Sequence, residues 1–420
     1  MTEVKQKISE KPTVKKRIGK FETFPASPRV KMSHLTKEMG LYPYFIPNTG
    51  KIGPRVHLRG KETIMLGSNN YLGLADHPEM IQAAKDAIEK YGTGCTGSRY
   101  LNGTLDLHLE LENKLADFMG KDEALCYSTG MQANLGTISG ITRKGDWVVS
   151  DEKNHASIID GCRLSYANTK VFQHNDMEDL ERVLRSLPED GNRWIISDGV
   201  FSMEGNLAQI PRIIELADQY DARVIIDDAH GVGYLGDHGE GSLGHFKLID
   251  RVDLVVGTFS KSFASIGGFV VGASDLIDYI RNHARALIYS ASIPPASAAT
   301  ASKAIDLFIR EEGLRKQVLI NSALFRKAVE EKGFHTIPQK TPTPVVPIII
   351  GDTMKTMRFN KDLIEAGVYT NPVVPPASTK AMLRTSLMAT HTQRDIDEAV
   401  EILTEVALKD RVLKKKRKKA

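Results

Sequence analysis

The sequence predicts an α/β protein with a mostly parallel, seven-stranded sheet, helices on both faces of that sheet, and a smaller C-terminal α+β domain. Three observations lead to this fold. From about residue 61, short apolar runs alternate with amphipathic stretches, which is typical of a parallel sheet covered by helices. After residues 292–300 the order of elements changes. A chain of 420 residues is long enough for one large domain or two ordinary ones.

Seven short apolar runs have the character of strands of the main sheet. In chain order they are ALCYST, WVVSD, KVFQH, RWIISD, RVIIDD, LVVGTF and GFVVG. Helical patterns precede or separate several of them: HPEMIQAAKDAIEKYG, LHLELENKLADFMG, EDLERVLRSL and IPRIIELADQY. The first two end at Gly92 and Gly120, and Pro211 in the first turn of the last is a common helix start.

The smaller domain is predicted to begin near Pro294 and Pro295, where SIPPASAAT interrupts the alternation. One long helix starts there. It is followed by the strand PVVPIIIG, a helix over 355–366, the strand MLRTSLM and a last helix over 393–408. This order of elements favours an α+β domain rather than a continuation of the parallel sheet.

Composition and charge indicate a cytoplasmic globular protein. The sequence contains no apolar stretch long enough for a membrane span and no signal peptide, and its three cysteines show no metal-ligand spacing. The net charge is +4, but residues 1–20 and the run KKKRKK at 414–419 are strongly basic, so the remainder is acidic. The basic ends fit solvated tails or attraction to an anionic membrane. The acidic remainder argues against extensive nucleic-acid binding.

One motif is a false signal. GTGCTG, at Gly92, Gly94 and Gly97, matches the dinucleotide fingerprint G-x-G-x-x-G. That fingerprint requires a strand before it and a helix opening within it. Because a helix is predicted before this copy, we do not expect it to bind a dinucleotide.

Polar side chains follow five of the predicted strands, at the edge where ligands of such sheets bind. They include the turn Ser128-Thr129-Gly130 before a helix, a seat for an anion, and the group Asp227, Asp228 and His230. The others are His155, Ser202 and Lys261. The acidic group alone fits either a metal site or the partner of a charged cofactor.

Taken together, these side chains meet the needs of pyridoxal phosphate (PLP). The cofactor's aldehyde needs an amine such as Lys261, its ring nitrogen needs a carboxylate such as Asp227, and its ring stacks on a flat side chain such as His155. Thr258 and Ser260 place hydroxyl groups beside the lysine for the phosphate. A metal hydrolase built on the acidic group is the competing interpretation, and it leaves Lys261 without a role.

The segment DDAHGVGYLGDHGEG, followed by GTFSKSFASIGG, resembles the α-oxoamine synthases. These are fold-type I PLP-dependent transferases that join an amino acid to an acyl-CoA with loss of CO2. The similarity runs from LGSNNYLGL (66–74) to LRTSLMATHT (383–392), about three quarters of the chain. It implies a fold-type I enzyme with an acyltransferase activity and a PLP cofactor.

The resemblance also implies roles for individual residues. Lys261 corresponds to the Schiff-base lysine, Asp227 to the partner of the ring nitrogen and His155 to the stacking imidazole that can also bind substrate. The residues that correspond to the other cofactor contacts are His230 and Ser202 at the phenolic oxygen, and Ser128, Gly130, Met131, Thr258 and Ser260 at the phosphate. Ser290 and Ala291, in IYSASIPP, correspond to a segment that reaches the phosphate from a second subunit, so a homodimer is implied. Arg384, Asn70 and Tyr71 correspond to substrate-binding residues, Arg384 pairing with the carboxylate, and no metal is implied.

The family's architecture divides the chain into an N-terminal basic arm and dimer-contact segment (1–60), a large PLP-binding domain (61–295), a small C-terminal domain (296–413) and a basic tail (414–420). The stretch GTGCTGSRYLNGTLDLH resembles the bacterial serine palmitoyltransferases, a subgroup of the family. That implies L-serine and palmitoyl-CoA as substrates, and a membrane-contacting role for the tail. Family members that use glycine or alanine, and an inactive adaptor on the same fold, are the alternatives.

Two positions depart from the family pattern. Asp198, in ISDGVFSMEG, stands where the family usually has glutamate. Val374 stands before Pro375 and Pro376, where some bacterial members have arginine. If that arginine helps to bind the serine carboxylate, Arg384 acts alone in this chain.

Overall fold

The computed structural model describes residues 27–413. Residues 1–26 of the predicted N-terminal arm and dimer-contact segment (1–60) and the whole basic tail (414–420) therefore lie outside the described residues. The described part up to Phe45 forms one compact unit, and the chain from Ile46 forms another. In the first unit, helix α1 (Pro28–Glu38) begins after Ser27, whose hydroxyl accepts a hydrogen bond from the Val30 N–H at 3.3 Å.

The second unit contains the predicted sheet and helices. Its strands are β1 (Asn48–Thr49), β2 (Arg55–Leu58), β3 (Lys61–Met65), β4 (Glu123–Tyr127), β5 (Trp147–Asp151), β6 (Asn168–Phe172), β7 (Arg193–Asp198), β8 (Ala222–Asp227), β9 (Leu254–Thr258), β10 (Gly268–Gly272), β11 (His335–Thr336), β12 (Val345–Ile349), β13 (Val368–Tyr369), β14 (Asn371–Val373) and β15 (Met382–Ser386). Its helices are α2 (Pro78–Tyr91), α3 (Asp106–Phe118), α4 (Gly130–Ile141), α5 (Ala156–Leu164), α6 (Met177–Arg185), α7 (Ile210–Gln219), α8 (Ser242–Phe246), α9 (Ser274–His283), α10 (Arg285–Ile288), α11 (Pro295–Arg310), α12 (Glu312–Glu331), α13 (Thr353–Ala366) and α14 (Gln393–Lys409).

The main sheet has seven strands in the order β4-β10-β9-β8-β7-β5-β6, and each of the seven predicted runs forms one of them. Strands β9, β8, β7, β5 and β6 pair in parallel. Strand β10 is antiparallel to both β9 and β4, because residues 259–267 are too few for a crossover helix. All strands except β10 therefore run in one direction, and their carboxyl ends lie at one edge.

Both faces of this sheet are buried. In β8, Val224 and Ile226 pack into one core cluster, whereas Ile225, between them, packs into the cluster on the other face. The same alternation places Val255 of β9 in the first cluster and Val256 in the second. Since successive side chains of a strand point to opposite faces, the prediction of helices on both sides of the sheet is confirmed.

The C-terminal elements agree with the sequence except at one helix. PVVPIIIG forms β12, MLRTSLM forms β15, and the last two predicted helices are α13 and α14. The two strands belong to the four-stranded sheet β11-β12-β15-β14. Both strands and both helices contribute side chains to one core cluster, which is distinct from the clusters on the faces of the main sheet. The long helix predicted after residue 294 ends at Arg310, because Glu311 leaves helical geometry (φ −96°, ψ 59°), and α12 follows. The domain boundary near residue 295 stays a prediction.

A second four-stranded sheet, β1-β2-β3-β13, joins early and late parts of this unit. The helix before GTGCTG is α2, which ends at Tyr91, so the dinucleotide fingerprint lacks its required strand. Among residues 27–413, no helix combines the length and apolar character needed to cross a membrane.

Candidate active site

A cavity of about 280 Å³ opens at the carboxyl edge of the main sheet. Its wall contains eight of the predicted site residues: Gly130, Met131, His155, Asp227, His230, Thr258, Ser260 and Lys261. They come from the ends of different strands or from the helices that follow them, and so the sheet brings together side chains that are far apart in sequence.

Lys261 supplies an amine to this cavity from the loop between β9 and β10. Within residues 27–413 its side-chain amine makes neither a hydrogen bond nor an ion pair, and the residue is half-buried. Burial lowers the pKa of Lys261 to about 8, although the negative charges of Asp227 and Asp198 oppose this shift. About a tenth of the amine is therefore uncharged at pH 7, far more than for a free lysine, and a nucleophile needs this uncharged form.

Asp227 ends β8 and is 4% exposed. Its Oδ2 accepts a hydrogen bond from Asn134 Nδ2 at 2.6 Å and its Oδ1 accepts one from the Ala229 N–H at 3.0 Å. Asp198 is its register partner on β7 and also lines the cavity. Burial, followed by the charge of Asp227, raises the pKa of Asp198 well above its usual value. Of these two neighbouring carboxyl groups, Asp198 is therefore the one whose charged form is disfavoured.

His155 precedes helix α5 and is exposed at the mouth of the cavity. Its N–H donates to Asp198 Oδ2 at 2.8 Å, which fixes the backbone beside β7. Loss of water around the ring lowers the pKa of His155, and the nearby Lys261 charge lowers it further, against the opposite effect of Asp227. The imidazole is therefore neutral at pH 7 and can stack on a flat ring.

The amino end of helix α4 forms the predicted anion seat. The Thr129 hydroxyl accepts a hydrogen bond from the Gln132 N–H at 3.1 Å. The N–H groups at the start of a helix have no carbonyl partner within that helix, so those of the first turn that are not capped in this way can bind a ligand. A Cβ on Gly130 would lie 2.7 Å from the Cβ and Oγ1 atoms of Thr258, so only glycine allows this close packing. The Thr258 and Ser260 hydroxyls lie 2.9 Å apart in the same wall.

A hydrogen-bonded network adjoins the cavity behind His230. The Tyr71 hydroxyl lies 2.7 Å from His230 Nδ1 and 3.3 Å from Arg384 Nη2. Arg384 also donates from Nε to the Ser202 carbonyl at 2.6 Å and from Nη2 to Asn69 Oδ1 at 3.1 Å. Burial lowers the pKa of His230 well below its usual value, and the charges of Lys261 and Arg384 act in the same direction. Within residues 27–413, Arg384 Nη1 has no hydrogen-bond acceptor.

Seven predicted residues do not line the cavity. Three of them, Ser202, Tyr71 and Arg384, belong to the network behind His230, and the other four are Ser128, Ser290, Ala291 and Asn70. Ser128 donates its hydroxyl to the Ala291 carbonyl, and Gln132 Nε2 donates to Ser290 Oγ at 2.7 Å, all within one chain. Segment 290–291 thus lies beside the amino end of α4. Asn70 is 6% exposed. Its Oδ1 accepts a hydrogen bond from the Ala75 N–H at 3.3 Å, and this bond stabilises the turn between the two residues. The contributions of these residues to cofactor or substrate binding stay predictions.

Sequence reasoning missed Asn134 and Ser157, which also line the cavity. Asn134 donates to Asp227 and, at 2.9 Å, to Ser157 Oγ. The available signal was an asparagine at a buried position of the helix MQANLGTISGI, most of whose residues are small or apolar. Of the two departures from the family pattern, Asp198 lies in the cavity wall and Val374 directly follows β14.

The residues present fit PLP. The cavity offers an amine at Lys261, a carboxylate at Asp227, a neutral imidazole at His155 and an anion seat at Gly130 with adjoining hydroxyls. The competing metal site lacks support, since residues 27–413 contain no group of three or more His, Cys, Asp or Glu side chains arranged to hold a metal.

A sequence model of the family described as "Aminotransferase class I and II" matches residues 61–403. The chain belongs to this family. The match spans most of the chain and includes every side chain in the cavity wall. The family is PLP-dependent, in agreement with the chemistry of the wall.

Three relatives locate the chain within the aminotransferase class I and II family. Serine palmitoyltransferase of Sphingobacterium spiritivorum is 47% identical over 372 residues, 88% of this chain and 93% of that protein. The 8-amino-7-oxononanoate synthase of Thermoanaerobacter pseudethanolicus is 42% identical over 373 residues, 88% of this chain and 94% of that protein. A solved structure of a serine palmitoyltransferase variant from S. paucimobilis, with a bound PLP–myriocin aldimine, has a TM-score of 0.90 at 33% identity and covers 93% of this chain and 99% of its own. These similarities confirm the prediction of a fold-type I, PLP-dependent acyltransferase similar to the α-oxoamine synthases.

Proposed function

We propose that the chain is a serine C-palmitoyltransferase. It would condense L-serine with palmitoyl-CoA to give 3-oxosphinganine, CoA and CO2. The main support for this proposal is that Lys261, Asp227 and His155 line the same cavity. The relatives of the chain include serine palmitoyltransferases. The product is the starting compound of sphingolipid synthesis.

Bound PLP supplies an electron sink for the electron pair left on the amino acid Cα when its proton is removed. The chain's own residues would do the rest. Lys261 Nζ, partly uncharged because of burial, would hold the cofactor at its aldehyde carbon. Once the substrate's amino group has displaced it from that carbon, the free amine would take the Cα proton. The Asp227 carboxylate holds the proton on the ring nitrogen, and Asn134 and Ala229 keep that carboxylate in place. His155 stacks on the ring and contacts the substrate carboxylate.

The substrate carboxylate would bind at Arg384. A bidentate contact needs two guanidinium N–H groups on one side, yet Nε and Nη2 already donate to Ser202, Asn69 and Tyr71. We therefore expect the carboxylate to bind first at Nη1 and to replace one of these protein acceptors. This exchange favours a small amino acid, since the buried arginine is only 5% exposed.

A homodimer is part of the same proposal. Tyr289, which precedes Ser290, is 73% exposed, and Leu101, in the loop whose Ser98 bridges to Ala291, is 78% exposed. Exposed apolar side chains next to a cofactor site fit a second copy of the chain that covers them and contributes residues to the site. The contact of residues 414–420 with an anionic membrane stays a prediction, since the tail lies outside the described residues.

A second candidate is another α-oxoamine synthase activity with glycine or alanine, supported by the 8-amino-7-oxononanoate synthase relatives. Release of CoA by the purified protein, measured for serine, glycine and alanine with palmitoyl-CoA, acetyl-CoA and pimeloyl-CoA, separates the candidates. We expect serine with palmitoyl-CoA to give the highest kcat/KM. A preference for glycine or alanine would replace the proposal with the second candidate.

The control is Lys261→Ala. It should fold, lose CoA release in every pairing and lose the visible absorbance of lysine-bound PLP. A wild-type protein that stays colourless when PLP is added would contradict the whole assignment, whichever substrate is tested.

A further inference from the structure

Two polar side chains, Asn134 and Ser157, connect the carboxylate of Asp227 with the ring of His155 through three hydrogen bonds. Asn134 Nδ2 lies 2.6 Å from Asp227 Oδ2 and 2.9 Å from Ser157 Oγ. Ser157 Oγ in turn lies 2.7 Å from His155 Nδ1. Asn134, Ser157 and Asp227 are 2%, 1% and 4% exposed, so water does not compete with the contacts among these three residues.

The direction of each hydrogen bond follows from the donors available. An amide that contacts a carboxylate presents its NH2 group, because its oxygen would be repelled. Asn134 therefore donates one hydrogen to Asp227 and the other to Ser157 Oγ. The Ser157 hydroxyl is then an acceptor on this side, and its own hydrogen has only one partner within residues 27–413, His155 Nδ1.

A second donor points at the same ring nitrogen. The backbone N–H of Ser157 lies 3.3 Å from His155 Nδ1. Nδ1 thus faces an N–H and an O–H, and a proton on Nδ1 would oppose the N–H and leave the Ser157 hydroxyl without an acceptor. A neutral imidazole carries one proton, so in this arrangement the proton resides on Nε2.

We infer that Asn134 and Ser157 are positioning residues that hold His155 as the Nε2–H tautomer and couple its orientation to the Asp227 carboxylate. Nε2 has no hydrogen-bond partner among residues 27–413, and the ring is part of the cavity wall. His155 therefore presents a hydrogen-bond donor to the cavity. It cannot take a proton at Nδ1 while Ser157 donates there.

A role toward substrate rests on the proposed function. An Nε2–H donor can bind the carboxylate of an amino acid, whereas an Nε2 acceptor would repel it. Removal of the Cα proton then falls to Lys261 and not to the imidazole. The position of the proton itself is independent of the substrate, so the two statements can be tested separately.

The test of the tautomer uses the full-length protein labelled with nitrogen-15 histidine, before and after PLP is added. Correlation spectra report which ring nitrogen carries the proton, and His155→Gln identifies the signal among the twelve histidines. We expect Nε2–H in the wild type. In Ser157→Ala the ratio of Nε2–H to Nδ1–H should fall about tenfold, because a donor to Nδ1 is lost. A proton on Nδ1 in the wild type, or an unchanged ratio in Ser157→Ala, would overturn the inference.

Substrate kinetics supply the second measurement. Ser157→Ala should raise KM for the amino acid about tenfold with a smaller change in kcat, and Ser157→Thr, which keeps the hydroxyl, should restore it. Asn134→Ala should do the same and also weaken PLP binding, through the lost contact with Asp227. Thr137→Val, a buried substitution on the same helix outside this chain of contacts, is the control.

If Asn134→Ala does not fold, Ser157→Ala decides alone. An unchanged tautomer together with changed kinetics would assign Ser157 a merely structural role, whereas absent serine turnover with the expected tautomer would reject only the proposed substrate.

Discussion

At the scale of single residues, the protein changes the chemistry of Lys261 chiefly by removing water from it. A free lysine amine is almost wholly protonated near neutral pH. In this cavity burial disfavours the charged form more strongly than the carboxylates of Asp227 and Asp198 favour it, and the pKa falls to about 8. The amine therefore becomes reactive within the ordinary working range of an enzyme.

This pKa predicts how PLP uptake by the cofactor-free protein depends on pH. Below pH 8 most of the amine is protonated, so the uncharged fraction, and with it the uptake rate, should rise about tenfold per pH unit. Above pH 8 the amine is mostly free and the rate should level off. Stopped-flow absorbance between pH 6 and pH 10 measures this, with Lys261→Ala as the blank. A rate that keeps rising to pH 10 would mean that the amine has an ordinary lysine pKa.

The sequence predicted the residues that carry reactive groups and missed those that position them. Lys261, Asp227 and His155 each follow a recognisable strand, and the edge of the sheet brings them together. Asn134 lies on a helix, 93 residues from Asp227 in sequence. No local pattern marks that pairing, because it exists only after α4 has packed against the sheet.

At the scale of elements, helix α4 depends on one glycine for its close approach to β9. Replacement of Gly130 by alanine would place a methyl group 2.7 Å from two atoms of Thr258 and move the amino end of the helix. We expect Gly130→Ala to weaken PLP binding at least about tenfold, since the free N–H groups would no longer meet the phosphate. Fluorescence titration of the cofactor-free protein measures this. Gly313→Ala, on α12 with no atom within 4 Å of the new methyl group, is the control, and equal PLP affinity in both variants would contradict the prediction.

Helix α3 is tied to the preceding loop by a buried ion pair. Arg99 donates from Nη1 and Nη2 to the two carboxylate oxygens of Glu112 at 2.6 and 2.8 Å, and Glu112 also accepts the Cys126 N–H of β4 at 2.7 Å. The same loop contacts the segment with Ala291 through a bridge at Ser98. This pair therefore connects β4 with the segment beside the anion seat.

Removal of Glu112 would leave Arg99 buried without its partner. We expect Glu112→Ala to lower the free energy of unfolding by about 3–5 kcal/mol. The shift of the first urea transition, followed by circular dichroism, measures this. Glu312→Ala, which breaks an exposed pair with Lys316, should change it by less than about 0.5 kcal/mol. Similar shifts in the two variants would show that the buried pair contributes no more than a surface one.

The sequence predicted element types better than their connections. The seven runs of the main sheet were recognisable because apolar β-branched residues alternate between two buried faces. The reversed direction of β10 and its place between β4 and β9 depend on pairing over long sequence distances. The break at Glu311 was hidden because α11 and α12 are both amphipathic and follow each other without a loop.

At the scale of the whole molecule, the proposed dimer makes a measurable prediction. The chain mass is 46.4 kDa, so light scattering after gel filtration should give twice that mass. Tyr289→Glu puts a charge on an exposed aromatic position beside Ser290 and should shift the protein toward monomer and weaken PLP binding. Leu324→Glu, at an exposed apolar position on α12, is the control. A monomeric wild type with full PLP affinity would contradict the shared site.

The reversed strand β10 has a consequence for motion. It is hydrogen-bonded to β9 on one side and to β4 on the other, so the loop that carries Lys261 is anchored at both ends in the middle of the sheet. The loop is closed further by hydrogen bonds from the Phe259 N–H to the Gly267 carbonyl and from the Ser265 N–H to the Phe259 carbonyl. A local fluctuation cannot release this loop without opening the central strands. Backbone amides of β9 and β10 should accordingly be among the last to exchange with deuterium, and the reactive amine keeps a fixed anchor while ligands enter and leave.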